Sequence, residues 1–224
     1  MVNILLLSII LDEGYDKKVN LLLNRYGIKV KTVSNAQGTA SPSVLDYFGL
    51  AETKKDVFLA IIPDYLENKI LDKLRTIFKL DKEGTGIAFT IPISSSNKYL
   101  SDAFNKTNVG ENEEKMKEKN NNYHLVITIV SEGYLEQVMA AAKRAGCGGG
   151  TVIKGRGLGN VIPTKILGFN IEPEKDIVLN IVLEKDKNKV MEEISKEVGI
   201  KTPGKGVCIA LPVSSAEGLN SYEE

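Results

Sequence analysis

The chain has 224 residues, 42% of them apolar, with 29 Lys and Arg against 29 Asp and Glu, one histidine and two cysteines. Zero net charge leaves no electrostatic footprint for nucleic acid or an anionic membrane surface. Two cysteines argue against a disulfide scaffold and fit a reducing compartment, and the length fits one large domain or two of about 100 residues each.

The N-terminal run MVNILLLSIILDEG has no basic n-region and no small-residue cleavage site before Asp12-Glu13. It is too short to cross a bilayer and reads as a buried strand over 2–11. An amphipathic helix follows over 15–26, then strands over 28–33 and 57–62, a helix over 65–78 and a strand over 87–93. Residues 97–122, NKYLSDAFNKTNVGENEEKMKEKNNN, are polar and lack a sustained apolar period. They read as a linker, with room for a short helix near Glu113 to Lys119.

The second half restarts the order. Tyr123 to Val130 is a β-branched run. Leu135, Val138, Met139 and Ala142 share one helical face, and Gly146 stands where a helix stops. A strand begins at Thr151, DIVLNIVL (176–183) is another, Lys187 to Val198 carries Val190, Met191, Ile194 and Val198 on one face, and Val207 to Val213 is the last strand. The halves also match in sequence. Glu13-Gly14-Tyr15 returns as Glu132-Gly133-Tyr134 and Lys55-Asp56-Val57 as Lys175-Asp176-Ile177. Gly84-Thr85-Gly86 returns as Gly204-Lys205-Gly206, and Ile91-Pro92-Ile93-Ser94-Ser95 as Leu211-Pro212-Val213-Ser214-Ser215. Four matches in one order at an offset of 119 or 120 predict a tandem duplication. The predicted fold class is α+β, two tandem ferredoxin-like βαββαβ domains, with repeat 1 over 1–96, the linker over 97–122 and repeat 2 over 123–224.

Residues 146–160, GCGGGTVIKGRGLGN, hold seven glycines in fifteen positions. Glycine weakens helix and strand interiors, so this density asks for a reason. A Rossmann fingerprint would need G-x-G-x-x-G opening a helix; here Gly155, Gly157 and Gly159 follow a strand, and Pro163 comes next with no amphipathic helix. A Walker A loop would need its lysine after the last glycine and a helix behind it; Thr202-Pro203-Gly204-Lys205-Gly206 has neither. Two loops acting together remain, their bare backbone aimed at one anion as a nest, with Lys154 and Arg156 beside the first and Lys201 and Lys205 beside the second. Strands two and four of a split βαβ unit are not neighbours, so this reading expects the loops to meet across a subunit or domain contact. A tight turn and a bulged strand would account for Gly146 and Gly148 to Gly150 without a ligand.

Thr151-Val152, Lys154-Gly155-Arg156-Gly157 before a long loop, and Thr202-Pro203-Gly204-Lys205-Gly206 before an apolar strand resemble the nitrogen regulatory P-II signalling family. The resemblance covers nearly all of repeat 2 and only the fold of repeat 1. It implies a trimer of βαββαβ units and a cytoplasmic signalling protein rather than an enzyme. It also implies a B-loop that holds nucleotide phosphates, and a T-loop, roughly 159–175, that changes order on filling and contacts a regulated transporter or enzyme. The implied ligand residues are Gly155, Arg156, Gly157, Gly159 and Asn160 at the T-loop base and Thr202, Gly204, Lys205 and Gly206 in the B-loop, with ATP, ADP or AMP as the sensed ligand and no required cofactor. Repeat 1 offers Gly84-Thr85-Gly86 without the lysine and is expected to serve as scaffold.

No nucleophile stands beside a base and no carboxylate pair stands out, so no catalytic residue is assigned. His124 has no histidine or cysteine at ligand spacing, so no metal site is assigned either. The competing class is a structural or metal-tolerance-type oligomer of ferredoxin-like domains that binds no nucleotide.

Overall fold

A computed structural model describes residues 3–39, 53–82, 84–94, 122–156, 164–166, 169–171 and 174–219. They form four α-helices and antiparallel β-sheet, divided between two compact units. Unit 1 comprises Met1–Asn35, Lys55–Tyr123 and Pro212–Glu224; unit 2 comprises Ala36–Lys54 and His124–Leu211.

Unit 1 is built on β1 (Ile4–Asp12), α1 (Asp16–Arg25), the start of β2 (Lys31–Gly38), β3 (Thr53–Pro63), α2 (Glu67–Phe78) and β4 (Gly86–Pro92). The strand order β2-β3-β1-β4 puts β1 in the middle, antiparallel to β3 from Ile4↔Pro63 to Asp12↔Lys55 and to β4 from Leu5↔Pro92 to Leu11↔Gly86. Strand side chains alternate, so Leu5, Leu7, Ile9 and Leu11 share a face. They are buried with Val19, Leu22 and Leu23 of α1 and Ile70, Leu71, Leu74 and Phe78 of α2, spaced three and four apart. Each fully buried leucine contributes roughly 1.5–3 kcal/mol.

Unit 2 repeats the order with β5 (Tyr123–Ser131), α3 (Leu135–Arg144), β6 (Thr151–Arg156), β9 (Glu174–Leu183), α4 (Glu184–Val198) and β10 (Val207–Pro212). Its strands run β10-β5-β9-β6, and β6 pairs with β9 from Thr151↔Leu179 to Arg156↔Glu174. Val126, Val130, Val138, Ala142, Val152, Val178, Val190, Ile194 and Val198 make the core. Arg144 on α3 donates to Glu197 on α4 at 2.8 Å.

The units differ from the sequence division in two segments. Ala36–Lys54, drawn as part of repeat 1, lies in unit 2, where Gln37 and Gly38 at the end of β2 pair with Val152 and Thr151 of β6. Pro212–Glu224, drawn as part of repeat 2, lies in unit 1, where β11 (Ser215–Glu217) adds to β4 from Ser215↔Thr90 to Glu217↔Ala88. The long connection before β9 contains a short hairpin, β7 (Thr164–Ile166) against β8 (Phe169–Ile171), where the sequence reading expects an irregular loop. The helix expected near 113–119 lies outside the described residues.

Part of the glycine run is explained by packing. A Cβ on Gly150 would stand 2.6 Å from Asn180 Nδ2 and 3.1 Å from the Leu179 carbonyl oxygen. The bare backbone instead meets Thr39, whose N–H and hydroxyl both donate to the Gly150 carbonyl at 2.9 Å and whose Oγ1 accepts the Gly150 N–H at 2.9 Å. Gly146 ends α3 at φ +99°, and Cys147 donates its N–H back to Ala142 at 3.0 Å.

Candidate functional site

The described candidate ligand residues of unit 2 gather at one end of its sheet. β6 ends with Lys154, Gly155 and Arg156, whose cross-strand partners are Asp176, Lys175 and Glu174. β5 ends at Ser131, and the turn to α3 follows through Glu132 and Gly133. The loop 199–206 joins α4 to β10. The turn at 131–132 links this loop to the start of β9. The Ser131 N–H donates to the Gly204 carbonyl at 3.0 Å, the Glu132 N–H donates to the Glu174 carbonyl at 3.1 Å, and Lys175 Nζ donates to Ser131 Oγ at 3.0 Å. The 199–206 loop and the start of β9 are thus joined inside unit 2 by Ser131 and Glu132. The expected meeting of the glycine loop with the 199–206 loop across a subunit or domain contact involves residues 157–160, which lie outside the described residues.

The loop 199–206 is closed by its own backbone. The Thr202 N–H and hydroxyl donate to the Gly199 carbonyl at 2.9 and 2.8 Å, the Lys205 N–H donates to Thr202 at 3.1 Å, and the Gly206 N–H donates to Val198 at 2.6 Å. Gly206 and Gly199 form a parallel bridge. A Cβ on Gly206 would lie 2.5 Å from the Val198 oxygen, so glycine is required there. Gly204 is buried against Val198 and the Tyr134 ring. Lys205 is exposed and takes a left-handed conformation, φ +46°, which costs roughly 1–2 kcal/mol in a residue with a Cβ.

Outside this loop lies an open cavity of about 500 Å³. Ile200 and Val207, both exposed, give it an apolar wall, and Ser195, Lys201, Thr202 and Gly206 are also part of its lining. A second cavity, about 390 Å³, lies in unit 1 among Asn68, Leu71, Asp72, Ser214, Ser215 and Glu217. Its two carboxylates are both within ion-pair distance of Arg75, at 2.9 Å for Asp72 and 3.6 Å for Glu217. An acidic lining suits an anion poorly, so the cavity at 199–207 is the better anion candidate.

Of the residues the sequence singled out, Gly155 lies in β6, with Ile177 Cδ1 3.3 Å from where its Cβ would be. The Arg156 backbone ends the strand. Thr202, Gly204, Lys205 and Gly206 form the loop just described. Gly157, Gly159 and Asn160 lie outside the described residues. Lys154 is engaged already: its Nζ is 2.8 Å from Asp176 Oδ1 and 3.7 Å from Glu132 Oε1. The hydrogen bond to Asp176 holds the ammonium above the ordinary lysine range. His124 places Nδ1 2.7 Å from Glu184 Oε2, an ion pair when protonated. Cys147 and Cys208 are free thiols, and burial pushes both up in pKa.

The sequence reading includes neither Ile200 nor Val207 among the binding elements, and it places Asp176 only in a repeated strand start. The apolar pair flanking Lys201-Thr202 and Gly206 was a readable signal. The Lys154–Asp176 pairing was not, since it depends on the β6–β9 register.

No protein-family model matches the chain, and no curated protein matches it. Several solved structures are similar. P-II from Arabidopsis thaliana bound to citrate is 24% identical over 42% of this chain and 78% of its own, with a TM-score of 0.34. An unknown protein from Galdieria sulphuraria is 11% identical over 95% of this chain and 99% of its own, at 0.28. Aspartate kinase from Synechocystis is 11% identical over 93% of this chain and 43% of its own, at 0.30. TM-scores this low fix neither a family nor a ligand for this chain. Among the described residues no helix is long and apolar enough to cross a membrane.

Proposed function

We propose that the chain is a P-II-like regulator, not an enzyme, that senses a small anionic metabolite, with ATP, ADP or AMP as the ligand class. The observation that carries this reading is the cavity beside the 199–206 loop. It pairs an apolar wall, Ile200 and Val207, with Lys201 and the Thr202 hydroxyl, while Lys205 stands exposed on the same loop. A nucleotide has the matching division, a flat apolar base and a charged phosphate chain. Occupancy is relayed through the segment between β6 and β9, whose base is tied to the same turn as the loop, and the output is a changed contact with a partner protein in the cytoplasm. The chain works as a homo-oligomer, with a trimer favoured.

A thermal-shift screen with ATP, ADP, AMP, cyclic AMP and bicarbonate tests the reading. A ligand present at 100 times its dissociation constant adds about 2.7 kcal/mol, a clear rise in melting temperature. A flat response to all five ligands would remove the sensor reading. It would leave a structural oligomer of ferredoxin-like units, for which the exposed Ile129, Val207 and Ile209 are the supporting observation.

A further inference from the structure

Asp176 is buried in β9, 1% exposed, opposite Lys154 on β6. Its Oδ1 is 2.8 Å from the Lys154 ammonium, an ion pair, and among the described residues neither carboxylate oxygen has a hydrogen-bond donor with full bond geometry. Asp56 stands at the matching place in unit 1, also buried, but its Oδ2 accepts the Gly14 N–H at 3.1 Å. The partners differ in kind. A backbone amide is fixed in place. Lys154 is half exposed, on a flexible four-carbon stem, and its second carboxylate contact, Glu132, lies 3.7 Å away at the surface. Lys154 also directly precedes Gly155 and Arg156.

We propose that Asp176 is an internal competitor for Lys154 and thereby sets the charge a ligand must carry; this rests on the anion-sensing reading above. In the empty protein the ammonium sits on Asp176. An anion at the Gly155 end of β6 draws it away, at the cost of leaving a buried carboxylate unpaired. A monophosphate, with a charge of about −1.5 to −2 near pH 7, offsets that cost less well than the more highly charged di- or triphosphate chain. Asp176 is then a specificity-determining residue that favours the more highly charged anions while touching none of them.

Calorimetric titration of ATP and of AMP into the wild type, Asp176→Asn and the double variant Lys154→Met/Asp176→Asn tests this. Asp176→Asn should bind both nucleotides more tightly, by about tenfold, the ratio one charge-assisted hydrogen bond supplies. It should gain more for AMP than for ATP, and the double variant should lose the gain. A purely structural aspartate gives the opposite sign, weaker binding in the variant. Affinity unchanged or weaker in a folded Asp176→Asn, or a gain that survives Lys154→Met, overturns the proposal. Asp176→Ser serves as the second replacement if the asparagine variant does not fold. If the wild type binds neither nucleotide, the sensing reading fails, and the tie itself is read without ligand. Acylation of the Lys154 amine, followed by mass spectrometry, should run several-fold faster in the Asp176 variant than in the wild type. Equal rates overturn the hold of Asp176 on Lys154.

Discussion

Thr85 in unit 1 and Thr202 in unit 2 clip two loops that do the same job, joining the second helix of a unit to its last strand. The clips sit at different places. Thr85 is near the end of its loop, and its hydroxyl donates to the carbonyls of Lys79 and Lys82 at 2.8 Å each. Thr202 is in the middle of its loop and donates to Gly199 at 2.8 Å. The residue in left-handed conformation moves the other way, from Lys79 at the start of the first loop to Lys205 at the end of the second. With the hydroxyl clip shifted to 202, the position matching Thr85 is free to carry an exposed lysine beside a cavity. The two loops close on similar hydrogen bonds and both carry exposed lysines, Lys79 and Lys82 in the first and Lys201 and Lys205 in the second, of which Lys201 lines the cavity.

The largest expected effect separates Gly206 of the second loop from Gly84 of the first; Gly86, the position that matches Gly206, is equally tight, its would-be Cβ 2.5 Å from the Ile10 oxygen. A Cβ at Gly206 would meet the Val198 oxygen at 2.5 Å, so backbone must move. Gly206→Ala should cost about 3 kcal/mol or more, as overpacking against backbone does. Gly84 in the first loop has no described atom within 4 Å of its would-be Cβ and only a positive φ of +77°. Gly84→Ala should cost about 1 kcal/mol. Urea denaturation of both variants checks this; equal losses would mean that the close approach to backbone at Gly206 costs no more than the positive φ at Gly84.

A smaller effect separates the two buried aspartates. Lys154→Met leaves Asp176 without its cation and should cost about 2 kcal/mol, within the penalty for a buried acceptor left unpaired. Asp56→Asn keeps an oxygen for the Gly14 N–H and should cost about 1 kcal/mol. The pH dependence carries a sign. The folded pKa of Lys154 is raised by Asp176, so the pair's contribution is fully present below the ordinary lysine value of about 10.4 and is lost as pH rises through the folded value. Between pH 9 and pH 12 the stability of the wild type should therefore fall toward that of Lys154→Met, while the gap between them stays constant at lower pH down to about 6. A gap that does not narrow in alkali would show that the lysine contributes packing and not charge.

Much of this was legible in the sequence, and the exceptions have physical causes. Strands such as DIVLNIVL and helices with Val190, Ile194 and Val198 on one face declare themselves by period, because burial imposes it. Ser215-Ala216-Glu217 has no β-branched or aromatic run, and it becomes a strand only because β4 offers an edge to pair with. The β7–β8 hairpin did carry a signal, Thr-Lys-Ile and Phe-Asn-Ile around Leu167-Gly168, but three-residue strands fall below what periodicity resolves. Thr39 meets Gly150, 111 residues away, a pairing that no local pattern encodes. At the site, the glycines and lysines of the 199–206 loop were found by motif. The competitor Asp176 was recognised only as a repeated strand residue, because its partner is set by register.

The smallest effect returns to the two threonines and asks whether the cavity matters. Each hydroxyl donates to carbonyls within its own loop, and a hydrogen bond of that kind is worth about 1 kcal/mol net, less where water can replace it. Thr85→Val and Thr202→Val keep the shape of the side chain and remove the donor. The Thr85 hydrogen bonds lie in exposed surroundings, so water recovers much of the loss, and a decrease of about 0.5 kcal/mol is expected. Thr202 is half-buried, so about 1 kcal/mol is expected. Stability alone would not distinguish a sensor from a scaffold. Binding does: Thr202 lines the cavity and sets the course of the loop toward Lys205, so Thr202→Val should weaken ATP binding several-fold at unchanged stoichiometry, while Thr85→Val should leave the affinity at the wild-type value. Calorimetry on the two variants, each shown to be folded, reads this directly. Equal affinities in both would place the ligand away from the 199–206 loop, and a loss on Thr85→Val alone would move it to unit 1.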